Sequence, residues 1–190
     1  PKSRVLDLGC GNGELLKRLL DFSGVHGVGV DIDIHHVIKV IEGGHGVFQA
    51  DIDRGLSMIP DGAYDYAILS KTLQSVRNPQ LVLNEMLRVA KQGLVSFPNF
   101  GNWRNRFRLS FLGRMPVGPL DNSAWYNTDD IHRFTYKDFI ELCQRYDIQI
   151  RDTLCLTGSI LEKIFVGLGC RNIGAELVVV RISKGHGNGV

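Results

Sequence analysis

In the stretch Val5-Leu6-Asp7-Leu8-Gly9-Cys10-Gly11-Asn12-Gly13, a short apolar run, Arg4–Leu8, carries an acid near its end and is followed by three glycines at alternate positions. Asn12–Asp21 then places Leu15, Leu16, Leu19 and Leu20 at helical spacing. Strand, glycine turn and helix in that order open a parallel α/β sheet, in which ligands sit outside the carboxyl ends of the strands. Glycines there let the backbone turn tightly and approach a ligand closely. The dinucleotide fingerprint GxGxxG needs a glycine where this chain has Glu14. A nicotinamide-dinucleotide enzyme fails on that spacing.

The same alternation continues outward. Val25–Val30 is a second strand ending at Asp31, and Ile34–Glu42 a helix stopped by Gly43-Gly44. Val47–Ala50 is a third strand ending at Asp51, and Tyr64–Leu69 a fourth, after the turn Pro60-Asp61-Gly62. Asn78-Pro79 opens a helix in which Leu83, Met86, Leu87 and Ala90 share a face, with Gly93 as its expected end. Leu94–Phe97 is a fifth strand, stopped by Pro98. The rhythm breaks between Asn99 and Thr135, which reads as an insertion. A helix over Tyr136–Tyr146 follows, with Phe139, Ile140 and Cys143 as its apolar stripe. Two late strands, Ile148–Leu156 and Glu176–Ile182, have no strong helix between them and are expected to pair antiparallel. The chain is thus one domain over 1–183, with an insertion at 99–134 and a flexible glycine-rich tail at 184–190.

Composition agrees with a globular domain: 190 residues, 44% apolar, 22% charged. The 22 basic and 20 acidic residues leave a net charge of +2, which argues against a nucleic-acid coat. Cys10, Cys143, Cys155 and Cys170 show no paired spacing, so a reducing, cytoplasmic setting is expected. No apolar run approaches the roughly 20 residues of a membrane helix, and no membrane partner is expected. No metal-ligand spacing is present.

The pattern DxGxGxG at Asp7, Gly9, Gly11 and Gly13 resembles the cofactor loop of class I methyltransferases that use S-adenosyl-L-methionine (SAM). That resemblance implies a Rossmann-like, doubly wound sheet of seven strands, mostly parallel with the last one antiparallel. Asp31, 18 residues after Gly13, is suited to accept both ribose hydroxyls. The resemblance further implies that Asp51 receives the adenine amino group, with Ile32 and Ile52 flanking the ring. Ser70, after the fourth strand, offers its backbone to the methionine end. For each aspartate the other reading is a turn or helix cap, and for Ser70 a plain loop residue.

Methyl transfer from a sulfonium needs an in-line nucleophile and positioning. A base is needed only where the acceptor must lose a proton. His26 and His45 fall in expected turns, and His35-His36 at a solvated helix start. His132 either reaches the pocket or has a helix-cap or surface role. No catalytic residue is assigned. An Asn-Pro-Pro-Tyr motif and a nucleophilic cysteine after strand four are both lacking, which argues against base-amino and carbon-5 methylation. Gly101–Arg114 carries four arginines and no acid, with Phe100, Trp103, Phe107 and Phe111 on one helical face. Six acids follow between Asp121 and Asp147, which disfavours nucleic acid. A lid or docking helix remains open, as does a core-packing helix with a solvated arginine face.

Ile68–Gln74, Val95–Gly101 and Trp103–Arg106 carry a narrower resemblance, supported by Arg4–Gly13, Leu83–Asn99, Gly113–Val117 and Ile131–Cys143. Together they resemble the methionine biosynthesis MetW family. The chain departs at Lys71, where glutamine is expected, and across Asp121–Asn127. The resemblance implies a SAM-binding, methyltransferase-like protein of methionine biosynthesis that acts with homoserine O-acyltransferase. The aromatic-arginine segment is then the docking surface. The alternative is an active methyltransferase on a small-molecule or protein acceptor.

Overall fold

The computed structural model describes residues 3–21, 25–116 and 125–185. Its apolar runs form strands β1 (Ser3–Leu8), β2 (Val25–Asp31), β3 (Gly46–Gln49), β4 (Tyr64–Ser70), β5 (Ala90–Pro98), β6 (Ile148–Leu156) and β7 (Leu177–Lys184). Between them lie α1 (Glu14–Asp21), α2 (Ile34–Glu42), α3 (Pro79–Val89), α4 (Trp103–Leu112), α5 (Tyr136–Arg145), α6 (Ile160–Gly167) and α7 (Arg171–Gly174).

The seven strands make one sheet in the order β3-β2-β1-β4-β5-β7-β6. Strand β7 runs antiparallel to both β5 and β6, and the other pairings are parallel. The expected seven-stranded sheet with an antiparallel last strand is therefore present. Strand order reverses at β1, which has β2 on one side and β4 on the other. In such sheets the crevice at that reversal holds the ligand.

Burial explains the layering. Leu6, Leu8, Leu69, Phe97, Val180 and Ile182 form the sheet side of the main core. Helix α3 covers them with Leu83 and Met86, and α5 with Phe139 and Cys143. Each such side chain contributes roughly 1.5–3 kcal/mol by leaving water. On the opposite face Leu16 of α1 and Val40 of α2 pack with Cys10.

Four expectations change. Gly93 does not end a helix: α3 stops at Val89, and Gly93 lies inside β5. A Cβ there would stand 2.8 Å from Ile182 Cγ1 and 3.0 Å from Met86 Cε, so it marks a close packing point. His26 lies within β2, not in a turn. A capped helix, α6, separates β6 from β7 where none was expected; Ser159 and Glu162 stand at capping-box spacing and both bonds are made. The insertion contains α4, and none of that helix's residues is buried, so it is not a core helix. Lys184 closes β7; the rest of the expected tail, 186–190, lies outside the described residues, as does 117–124 of the insertion. Among the described residues no helix is long and apolar enough to cross a membrane.

Candidate functional site

The glycine turn after β1 folds back over the end of β2, where Gly9 N–H and Cys10 N–H both donate to Val30 O at 2.8 and 3.1 Å. Gly9 has φ +71°, and a Cβ on it would meet Thr72 Cγ2 at 2.5 Å. Only glycine satisfies both constraints. Gly11 donates its N–H to Asp31 Oδ2 at 2.8 Å, and a Cβ on it would find nothing within 4 Å. Gly13 faces elsewhere, with Val40 Cγ2 2.9 Å from where its Cβ would be, so it seats the loop against α2.

Asp31 at the end of β2 is buried. Its Oδ1 accepts from Asp33 N–H at 2.9 Å and lies 3.2 Å from His36 Nδ1. The residue thus ties the glycine turn to the start of α2, and Oδ2, with one partner, retains a lone pair for a ligand. Asp51 does cap: Oδ1 accepts from Asp53 N–H at 3.0 Å, and Oδ2 lies 3.3 Å from Arg54 Nε. Asp53 in turn accepts from Arg77 N–H and Asn78 N–H, which anchors the N-terminal end of α3.

Six of the nine candidate residues line one cleft of about 800 Å³: Gly9, Gly11, Asp31, Ile32, Asp51 and Ile52. An adjoining lobe of about 360 Å³ is lined by Asp7, Gly9, Ser70 and Lys71. Gly9 and Lys71 border both. Ser70 is held there by its hydroxyl, 3.3 Å from Ser96 Oγ, and by Thr72 Oγ1, which donates to its carbonyl. Gly13 lines neither space.

Two further residues join the site. His36, expected to be solvated, borders the cleft beside Asp31. Its position in the first turn of the helix after the Asp31 strand is the signal that could have found it. Lys71 turns the chain after β4 in the left-handed region, φ 55°, and its N–H donates to Ser96 O. His132 is not brought to the cleft. It lies in a separate apolar cavity with Leu73, Phe134 and Phe139.

The electrostatics centre on Asp7. It is 1% exposed, and neither carboxylate oxygen has a hydrogen-bond partner. Burial, with a smaller push from the Asp31 charge, raises its pKa to about 7. Burial and the same two carboxylates push the Cys10 thiol up to about 12, so it is no nucleophile at neutral pH. The donor set fits SAM: an unpaired buried carboxylate suits a cationic methionine end, and Ile32, 62% exposed on the cleft, suits a purine face. Among the described residues no group of three His, Cys, Asp or Glu side chains converges to hold a metal.

Comparison with known proteins extends this geometry. The family described as methionine biosynthesis protein MetW matches residues 1–181. The bifunctional methionine biosynthesis protein MetXA/MetW of Rhodopirellula baltica is 35% identical over 157 residues, 78% of this chain and 25% of that protein. The chain therefore spans about a quarter of that relative's length. Among solved structures, an S-adenosylmethionine-dependent methyltransferase from Mesorhizobium loti superposes with a TM-score of 0.69 at 15% identity, covering 95% of this chain and 90% of its own. One from Archaeoglobus fulgidus gives 0.63 at 15%, covering 96% and 86%. The [4+2]-cyclase SpnF gives 0.67 at 17%, covering 98% and 76%. The fold is thus that of class I methyltransferases, and it also carries chemistry other than methyl transfer.

Proposed function

The chain belongs to the methionine biosynthesis protein MetW family, and on that premise we propose that it is a SAM-binding regulatory partner of homoserine O-acyltransferase. The cofactor half rests on one observation: Gly9, Gly11, Asp31, Ile32, Asp51 and Ile52, from three strand ends, meet in a single cleft joined to the Asp7–Ser70 lobe. Asp31 is the residue to hold the ribose hydroxyls. Asp51 is the one to take the adenine amino group between Ile32 and Ile52. Asp7 and Ser70 face the methionine end, and the charge of Asp7 complements a sulfonium. When bound, SAM supplies an electrophilic methyl group. The partner half is supported by the relative that joins MetXA and MetW in one chain.

Calorimetry tests the cofactor half. SAM is expected to bind and NAD not to, and Asp31→Ala should weaken SAM binding at least tenfold, about 1.4 kcal/mol. An unchanged affinity would sink the ribose assignment. Adding the chain to homoserine O-acyltransferase, with and without SAM, tests the partner half through the acyltransferase rate. Accumulation of S-adenosylhomocysteine on addition of an acceptor would instead favour the alternative, an active methyltransferase.

A further inference from the structure

Helices α4 and α6 each turn an apolar stripe outward, while Glu162 of α6 is turned inward. Glu162 of α6 is 0% exposed. Its carboxylate accepts from Gly158 N–H at 2.7 Å, Ser159 N–H at 3.0 Å and Asn102 Nδ2 at 3.2 Å, and Arg104 Nε of α4 lies 3.5 Å away. Meanwhile Ile160, Ile164 and Leu168, spaced as one helical stripe, are 77%, 51% and 74% exposed. On α4, Phe107 and Phe111 stack with ring centroids 4.9 Å apart, and the latter is 76% exposed. A surface helix ordinarily turns such a stripe to the core. Exposed apolar surface on this scale marks an interaction site. The contacts of Asn102 and Arg104 with Glu162 clamp the N-terminal ends of both helices together, so the two stripes belong to one framework.

Charge narrows the occupant. Arg104, Arg106, Arg108 and Arg114 accompany the phenylalanines, and Gly101–Arg114 contains no acid. The matching surface is an apolar groove rimmed with carboxylates. The Rhodopirellula relative places a MetXA part on the same chain, within tether reach of its MetW part. The exposed fractions of Phe107, Phe111, Leu112, Ile160, Ile164 and Leu168 come to on the order of 700 Å², close to one partner's share of a standard interface.

We propose that the α4–α6 surface docks into an acid-rimmed apolar groove of the MetXA-type protein. This rests on the partner reading given above. The test is the affinity of the full chain for the MetXA-type protein of the same organism, measured by sedimentation or calorimetry. Phe107→Asp with Phe111→Asp, and separately Ile160→Asp with Ile164→Asp, should each weaken association at least thirtyfold at an unchanged melting temperature. Wild-type affinity should also fall as salt rises. Association unchanged in both variants overturns the docking surface and leaves the partnership standing. A wild-type chain that does not associate overturns both. Self-association, or binding to anionic vesicles, that these variants abolish would assign the surface to a different occupant and overturn the proposal.

Discussion

Asp7 shows how much one side chain's surroundings can do. Its carboxyl is held near pKa 7 against an ordinary 3.8. Between those pH values the folded chain keeps a proton that the unfolded chain has released. Folding stability from this group is therefore complete below about pH 4 and lost as pH rises through about 7, by on the order of 4 kcal/mol. Asp7→Asn removes that dependence. In urea titrations the variant should match the wild type near pH 4 and be more stable at pH 8. A wild type that gains on the variant over that range would contradict the assignment. Asp31 and Asp51 are legible as strand-end acids because each stands where an apolar run ends; the bond from Gly11 N–H to Asp31, 20 residues apart, is not legible. Thr72 is not legible either, since it matters through the missing Cβ of Gly9, 63 residues earlier.

Elements differ in how far their own residues specify them. Helix α5 has a capping box at Thr135 and Asp138 and an apolar stripe led by Phe139, and its expected and observed limits nearly coincide. Helix α6 has a capping box too, but its stripe points to solvent. Its glutamate is buried because Asn102 and Arg104, some 60 residues earlier, complete the site. Burial alone would push the Glu162 pKa up; the Gly158 N–H, the Asn102 amide and the Arg104 charge more than offset it and hold the group ionised. Glu162→Ala strands these partners. We expect a loss of about 2–4 kcal/mol, with faster amide exchange confined to α4 and α6 and SAM affinity unchanged. Uniform exchange across the sheet would show that the two helices are not a separate unit.

At the scale of the whole molecule, the sheet order puts the ends of β1, β2 and β4 side by side, so residues from 7 to 71 share one crevice. A ligand there braces several elements together. SAM at about 100 times its dissociation constant should stabilise the fold by about 2.7 kcal/mol, a rise in melting temperature of roughly 5–10 °C for a chain of this size. NAD should give none. A melting curve unmoved by SAM would leave the crevice without its proposed ligand.

The alternation of strands and helices, the glycine turn and the acids at strand ends follow from spacing along the chain, because those interactions close within a turn or a strand. The family motifs are equally local. Packing decided the rest. Gly93 lies in a strand because β4 and β7 pair with it on either side, and Gly13 packs against a helix because Val40 lies above it. Asp7 becomes a neutral-pH titrating group only when the sheet closes water away from it. Helices α4 and α6 are held together at their N-terminal ends because Glu162, buried between them, gathers Asn102 and Arg104 from the other helix. Each outcome depends on groups brought together from distant parts of the chain, which no local spacing encodes.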